Sequence, residues 1–188
     1  MHSAAVAAEC GVPLVIGTTG LSAGQKEDLG RLAERTPLFW APNMSIGVTV
    51  LARLLPQLTK ALGEDYDADI VEIHHCRKKD APSGTALRLG EAVAQARDWE
   101  LEDVRCSARD GIIGPRPKRQ IGIQAVRGGD VVGVHTVYFM GPGECIEVTH
   151  RAESRENFAG GALRAARWLV QQKPGRLYTM DDMFRTED

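Results

Sequence analysis

Apolar residues follow two rhythms along this chain, and the rhythm assigns the elements. Val12 to Ile16 is a continuous apolar run ending in Gly17-Thr18-Thr19-Gly20, which predicts a buried parallel strand feeding a turn. Ser22, with Gln25 three residues on, is a capping-box signal for a helix running to about Glu34. Pro37 to Ala41 reads as the next buried strand, and the alanine-rich stretch Met1 to Cys10 as the tail of a helix. From Ser45, apolar positions at Gly47, Val50, Leu51, Leu54, Leu55, Leu58, Ala61 and Leu62 keep helical spacing. Pro56 falls inside that pattern, where an interior proline costs about 3 kcal/mol and is expected to kink the helix or end it early.

Further on the period changes. Ala68 to His75 alternates and then meets a polar loop, so it reads as a strand, and Ser83 caps a helix from Gly84 to about Arg97. Arg119 to Val126 and Asp130 to Met140 both alternate, and Arg127-Gly128-Gly129-Asp130 between them predicts a hairpin. Gly141-Pro142-Gly143 turns into a further strand, Glu144 to Arg151, and Phe158 to Gln172 is a helix. Arg109 to Arg119 is the loosest stretch, a long loop that is either mobile or functional. Residues 1–44 are thus half of a doubly wound α/β layer, residues 45–152 an antiparallel-rich α+β region, and the remainder is helical again.

Composition narrows the function classes. The chain has 188 residues, 43% of them apolar and 26% charged, with a formal net charge of -2. Those values are ordinary for a globular protein and give no basic footprint for nucleic acid. Apolar stretches such as Val131 to Met140 are too short to span a bilayer, and the N-terminus lacks the basic residues and apolar centre of a secretory signal. Cys10, Cys76, Cys106 and Cys145 are scattered without C-x-x-C spacing, as expected for free thiols in a reducing cytoplasm. No metal site is expected: His74 and His75 are adjacent on a strand, so they point to opposite faces, and no carboxylate stands at ligand spacing.

The chemistry concentrates between Glu72 and Ala86, E-I-H-H-C-R-K-K-D-A-P-S-G-T-A. Two histidines stand at a strand end, followed by Arg77, Lys78 and Lys79, and then Pro-Ser-Gly-Thr opens a helix. A helix amino end offers unpaired N–H groups and partial positive charge, so it holds anions. Gly84 lets a ligand approach the backbone, Ser83 and Thr85 add hydroxyls, and Lys78 adds a full charge. Taken singly, each has a plainer explanation: a cap, a solvated lysine, a structural histidine. Together within fifteen residues they describe a carboxylate or phosphate site with a proton donor beside it.

The string H-H-x-x-K-x-D-A-P-S-G-T-A resembles the signature of the dihydrodipicolinate reductase family at every fixed position. Val15-Ile16-Gly17-Thr18-Thr19-Gly20 and Ala41-Pro42-Asn43-Met44-Ser45-Ile46-Gly47-Val48 look like that family's nicotinamide-side loops. Gly129-Asp130-Val131-Val132-Gly133-x-His135-Thr136 and the segment from Glu147 to Ala159 are similar to its later strands and closing helix. The resemblance implies hydride transfer from NADH or NADPH to 4-hydroxy-tetrahydrodipicolinate, giving tetrahydrodipicolinate and water, in lysine synthesis. It makes His74 the general acid–base residue, Lys78 a second proton donor that also pairs with a substrate carboxylate, and His75 a substrate ligand. Gly84 with Thr85 become the carboxylate cradle, beside which the Ser83 hydroxyl is a further substrate-binding group, and Gly17, Thr18, Thr19, Ala41, Pro42, Asn43 and Met44 become the nicotinamide contacts.

The resemblance also implies an incomplete Rossmann-like nucleotide domain (1–44 with 153–188) and a substrate-binding and oligomerisation domain (45–152) whose open mixed sheet forms a homotetramer. The family's opening strand, G-x-x-G-x-x-G turn and helix have no counterpart in these letters, so a longer gene product with Met1 internal is the preferred expectation. The alternative from another class is a non-catalytic dicarboxylate-binding or assembly protein.

Overall fold

The computed structural model describes residues 1–185, which divide into two compact units, residues 1–49 with 156–185, and Val50–Arg155. In the first, α1 (His2–Cys10) leads into β1 (Leu14–Ile16), α2 (Ala23–Ala33) and β2 (Leu38–Trp40). Ser22 and Gln25 form the capping box in both directions, each side chain accepting from the other's backbone N–H. Ser45 starts α3 (Ile46–Leu62), its hydroxyl accepting from the Val48 N–H.

In the second unit, β3 (Asp67–His74) is followed by α4 (Gly84–Gln95), the one-turn α5 (Leu101–Val104) and the two-residue β4 (Arg105–Cys106). The strands β5 (Ile121–Arg127), β6 (Gly133–Gly141) and β7 (Glu144–Ala152) complete it. The chain then returns to the first unit through α6 (Glu156–Leu169), β8 (Leu177–Tyr178) and a short 3-10 helix at Met180–Phe184. There β1, β2 and β8 form a parallel sheet in that order. Phe39, Ala165, Leu169 and Met180 fill the space between β2 and α6, and Ala4, Leu29, Ala33 and Leu38 pack α1 and α2 onto the sheet.

The second unit is built on a mixed sheet of order β4-β5-β3-β6-β7. Alternation places Ala68, Ile70, Glu72 and His74 of β3 on the covered face. Leu51 and Leu55 of α3 with Ala86, Leu89 and Val93 of α4 pack there, against Ile70, Ile121, Ile123, Val137 and Phe139. Gly90 lets α4 come close: a Cβ on it would lie 2.9 Å from Ile123 Cδ1. Pro56 neither ends nor interrupts α3, contrary to expectation. Leu51, Leu55, Leu58 and Leu62, on both sides of it, all pack on this core, and that shared burial outweighs one missing backbone donor.

The hairpin expected at Arg127-Gly128-Gly129-Asp130 does not form. β5 pairs parallel with β3 and β6 pairs antiparallel with β3, so the two flank it. The glycines instead carry the chain across the end of β3, Gly128 N–H donating to His74 O at 3.0 Å and Cys76 N–H to Gly129 O at 3.1 Å. The turn at Pro142-Gly143 does join β6 to β7 as an antiparallel pair.

The long loop expected at Arg109 to Arg119 is anchored at its root. Arg109 and Arg116 both donate to the Asp69 carboxylate, and Arg116 also to Asp67 and the Gln120 carbonyl. Burial alone would raise the Asp69 carboxyl, but hydrogen bonds from Arg109, the Gly122 N–H and Arg116 hold it below the usual range. The tip keeps Ile112 and Ile113 exposed.

Candidate active site

At the carboxyl end of β3 the strand delivers His74 to the covered face of the sheet, in phase with Glu72. Glu72 is fully buried, and a carboxylate in that position requires partners. It has four donors, two on each oxygen. His74 Nδ1–H donates to Oε2 at 2.6 Å and Ser83 N–H to Oε1 at 3.0 Å. Arg127 spans both oxygens at 2.7 Å each. Burial would raise the Glu72 carboxyl, yet Arg127, His74 and Ser83 together hold it below its ordinary value, so it remains an anion.

Ser83 is the N-cap of α4, its hydroxyl accepting from Ala86 N–H. The same hydroxyl lies 2.9 Å from Nε2 of His135 on β6. His74 and His135 stand edge to face, ring centroids 5.0 Å apart, and His150 of β7 lies 6.4 Å beyond His135. Burial, with help from the neighbouring His74, pushes His135 down to about 4. His74 is also lowered, first by burial, against which Glu72 pulls upward while Lys78 and Arg127 push down. At neutral pH the imidazole of His74 is therefore uncharged, with its proton on Nδ1.

Lys78 lies on the turn after β3, where Nζ pairs with Asp80 at 2.9 Å. That hydrogen bond holds the Asp80 carboxyl below its usual range. His75 is half-buried and its carbonyl accepts from Lys78 N–H. Gly84 is exposed, with open space where a Cβ would stand, and Thr85 follows it half-buried in the first turn of α4. His74, Ser83 and His135 are thus held in one group by a hydrogen bond and an edge-to-face ring contact, with Lys78 close enough to act on both imidazoles. The first turn of α4 opens beside Ser83.

In the other unit, Gly17, Thr18 and Thr19 follow β1 and Ala41, Pro42, Asn43 and Met44 follow β2. The two strands are parallel neighbours, so both loops leave the carboxyl end of the sheet. Gly17 to Gly20 are exposed, and Trp40 Nε1 fixes the Thr18 carbonyl at 2.9 Å. Asn43 closes a small turn by accepting from Ser45 N–H. Ala41 and Met44 are buried in the core beneath. Exposed backbone at the carboxyl ends of adjacent parallel strands fits the end of a dinucleotide.

Sequence reasoning gave no role to Glu72, Arg127 or Ser83's partner His135. Glu72 was detectable: it sits at the apolar phase of β3, between Ile70 and His74, where an ionised side chain needs a counter-charge. Arg127 carried no such mark, because nothing in the letters says that β5 lies beside β3.

Three comparisons bear on these observations. A family description "Dihydrodipicolinate reductase, C-terminus" matches residues 47–184, and "Dihydrodipicolinate reductase, N-terminus" matches residues 1–44. The 4-hydroxy-tetrahydrodipicolinate reductase of Desulfovibrio desulfuricans is 68% identical over 98% of this chain and 71% of its own length. The protein of the same name from Syntrophus aciditrophicus is 51% identical over 97% of this chain and 68% of its own. Among solved structures, dipicolinate-bound dihydrodipicolinate reductase from Paenisporosarcina sp. TG-14 superposes with a TM-score of 0.70 at 23% identity, covering 98% of this chain and 69% of that one. That likeness supports a Rossmann-like layer and an α+β unit with a mixed sheet.

Proposed function

The chain belongs to the dihydrodipicolinate reductase family, and from that premise we propose how its residues divide the work. The protein is an NAD(P)H-dependent oxidoreductase of lysine and diaminopimelate biosynthesis, reducing 4-hydroxy-tetrahydrodipicolinate to tetrahydrodipicolinate with release of water. His74 exchanges the proton that accompanies reduction, and Lys78 is a second donor that pairs with a substrate carboxylate. Ser83, Gly84 and Thr85 receive the other carboxylate at the amino end of α4, where N–H groups and the helix dipole favour an anion. His75 is a further substrate ligand. NADH or NADPH supplies the hydride when bound, and Gly17, Thr18, Thr19, Ala41, Pro42, Asn43 and Met44 hold its nicotinamide end. Residues 1–44 with 153–188 thus serve the nucleotide, and residues 45–152 the substrate and assembly.

The observation that carries this assignment is the grouping of His74 with the N-cap of α4 through one buried carboxylate. Hydride addition increases negative charge on the substrate, so a protonated group beside it lowers the barrier. His74 rests uncharged near neutrality because burial lowers it. A dicarboxylate docking at the start of α4 brings two negative charges near it and raises its proton affinity. Binding of pyridine-2,6-dicarboxylate near pH 7 is therefore expected to take up protons. Calorimetry in buffers of differing ionisation enthalpy measures the number, and His74→Gln should abolish most of it. Tight binding with no uptake would remove His74 from the site. Binding of the dicarboxylate with none of NADH, in a chain that includes the relatives' remaining length, would favour a non-catalytic role.

Assembly is proposed to be a homotetramer formed through the second face of the mixed sheet. Val71, Ile73 and Tyr138 on that face are half-buried and Val126 and Met140 exposed, whereas the core side chains of α3 and α4 pack on the first. Sedimentation as a monomer at moderate concentration would contradict it. Among the described residues no helix is long and apolar enough to cross a membrane. The free thiols and the metabolite substrate support a cytoplasmic place.

A further inference from the structure

The Glu72 carboxylate touches three parts of the site that come from different places in the sequence. On its own strand it holds His74, at the start of α4 it holds the Ser83 N–H, and from β5 it receives both arms of Arg127. Arg127 also donates to the Asp80 carbonyl at 2.8 Å, and the Asp80 side chain pairs with Lys78. An ordinary core ion pair joins two elements. This one fastens the imidazole, the anion-binding helix start and the lysine-bearing turn to a single anion.

Gly133 completes the arrangement from the neighbouring strand. It follows on from the Ile73–Val134 pair of the β3–β6 ladder, so it stands opposite His74. A Cβ on Gly133 would lie 3.0 Å from His74 Nε2 and 3.3 Å from Cδ2, tighter than a side chain normally tolerates. Glycine at this position keeps the Nε2 side of the ring uncrowded. Because ionised Glu72 can only accept, the ring proton sits on Nδ1, and Nε2 is the atom left for chemistry.

We propose that the Glu72–Arg127 pair is the positioning device of the active site, fixing His74 with its proton on Nδ1 and Nε2 directed over Gly133. The proposal rests on the assignment of His74 as the proton-exchanging group. Glu72 and Arg127 act through His74 and are positioning residues.

The charged and titratable groups facing His74 are Glu72 on its own strand, Lys78 on the following turn with Asp80 paired to it, Arg127 on β5, and His135 on β6 with His150 behind it. Glu72 draws a proton toward the imidazole; Arg127 repels it. Glu72→Gln keeps the size but removes the anion and sets an amide NH2 against donors where one oxygen now accepts, so His74 should titrate at lower pH than in the wild type. Arg127→Met leaves the anion without its counter-charge, so His74 should titrate at higher pH. A role limited to stability gives no reason for displacements of opposite sign.

The test is histidine side-chain NMR on the full chain labelled with nitrogen-15, with His74 assigned by its loss in His74→Gln. The wild type should show the Nδ1–H tautomer, and the two variants should shift in opposite directions. Arg127→Lys, which keeps the charge, should titrate close to the wild type and controls for folding. An Nε2–H tautomer in the wild type, or shifts of one sign in both variants, overturns the proposal even if a variant expresses poorly. In turnover, Glu72→Gln should lower kcat about 10–10²-fold, the scale of a misplaced reacting group, with KM little changed. The spectroscopic readout needs neither substrate nor cofactor. If it holds while His74→Gln turns over normally, the role given to His74 fails and the positioning stands.

Discussion

Replacing His74 by glutamine is expected to lower kcat roughly 10²–10⁴-fold, the range of a lost general acid–base group. KM should stay within a few-fold, because an interaction realised only as charge develops is read in kcat. The glutamine amide lies one bond further out than Nδ1, but its extra rotatable bond lets it fold back and donate to Glu72 Oε2, which His74 now does at 2.6 Å, so the buried carboxylate keeps a partner and the fold should survive. What disappears is the ionisable imidazole. The pH profile of kcat should therefore lose the limb that reflects its titration, as well as falling in height. Steady-state loss of dihydronicotinamide absorbance with freshly made substrate measures both. A kcat within about fivefold of the wild type would exclude His74 as the principal acid, since that is far below the acid–base range.

The second large effect concerns stability. Gly161→Ala in α6 is expected to destabilise the protein by roughly 3 kcal/mol or more, at or beyond the upper end of ordinary overpacking. The added Cβ would overlap the Met44 carbonyl oxygen, which is backbone and cannot rotate away. Its neighbour supplies the control. Gly160 is exposed with open space at its Cβ position, so Gly160→Ala gains helix propensity and should stabilise by up to about 1 kcal/mol. For a chain of this size each kcal/mol moves Tm by about 2–4 °C. Thermal unfolding should thus separate the two by roughly 6–16 °C, with opposite signs, although they are adjacent and chemically identical changes. Because Met44 belongs to the loop assigned to nicotinamide, Gly161→Ala should also weaken NADH binding. Equal melting temperatures would mean that α6 does not approach the Met44 backbone this closely.

Much of this was readable from the letters where the determinant is local. The Ser22–Gln25 capping box, the Ser83 cap and the alternation of β3 each depend on residues a few positions apart, and each formed as expected. Strand partners were not readable. β5 and β6 alternate whether or not they touch each other, and Arg127-Gly128-Gly129-Asp130 has turn-forming residues whether it closes a hairpin or crosses the end of β3. Pro56 misled for a related reason: its cost is local, and the burial that outweighs it comes from Leu55 and Leu62 meeting the distant sheet. In the site, the helix start and its flanking charges were visible as a cluster within one short segment. The Glu72–Arg127 pair was not, because it joins positions on two strands whose adjacency only the folded sheet creates.

The place of β3 has a consequence for synthesis. Both of its hydrogen-bonded neighbours, β5 and β6, begin only at Ile121 and Gly133. As the chain leaves the ribosome, β3 emerges with two unpaired edges and waits while α4, α5 and the long loop are made. Pairings so distant in sequence are slow to close, and an early strand carrying Ile70, Val71 and Ile73 is sticky in the interval. Only once translation has passed Gly141, the end of β6, does that strand have a partner on each side.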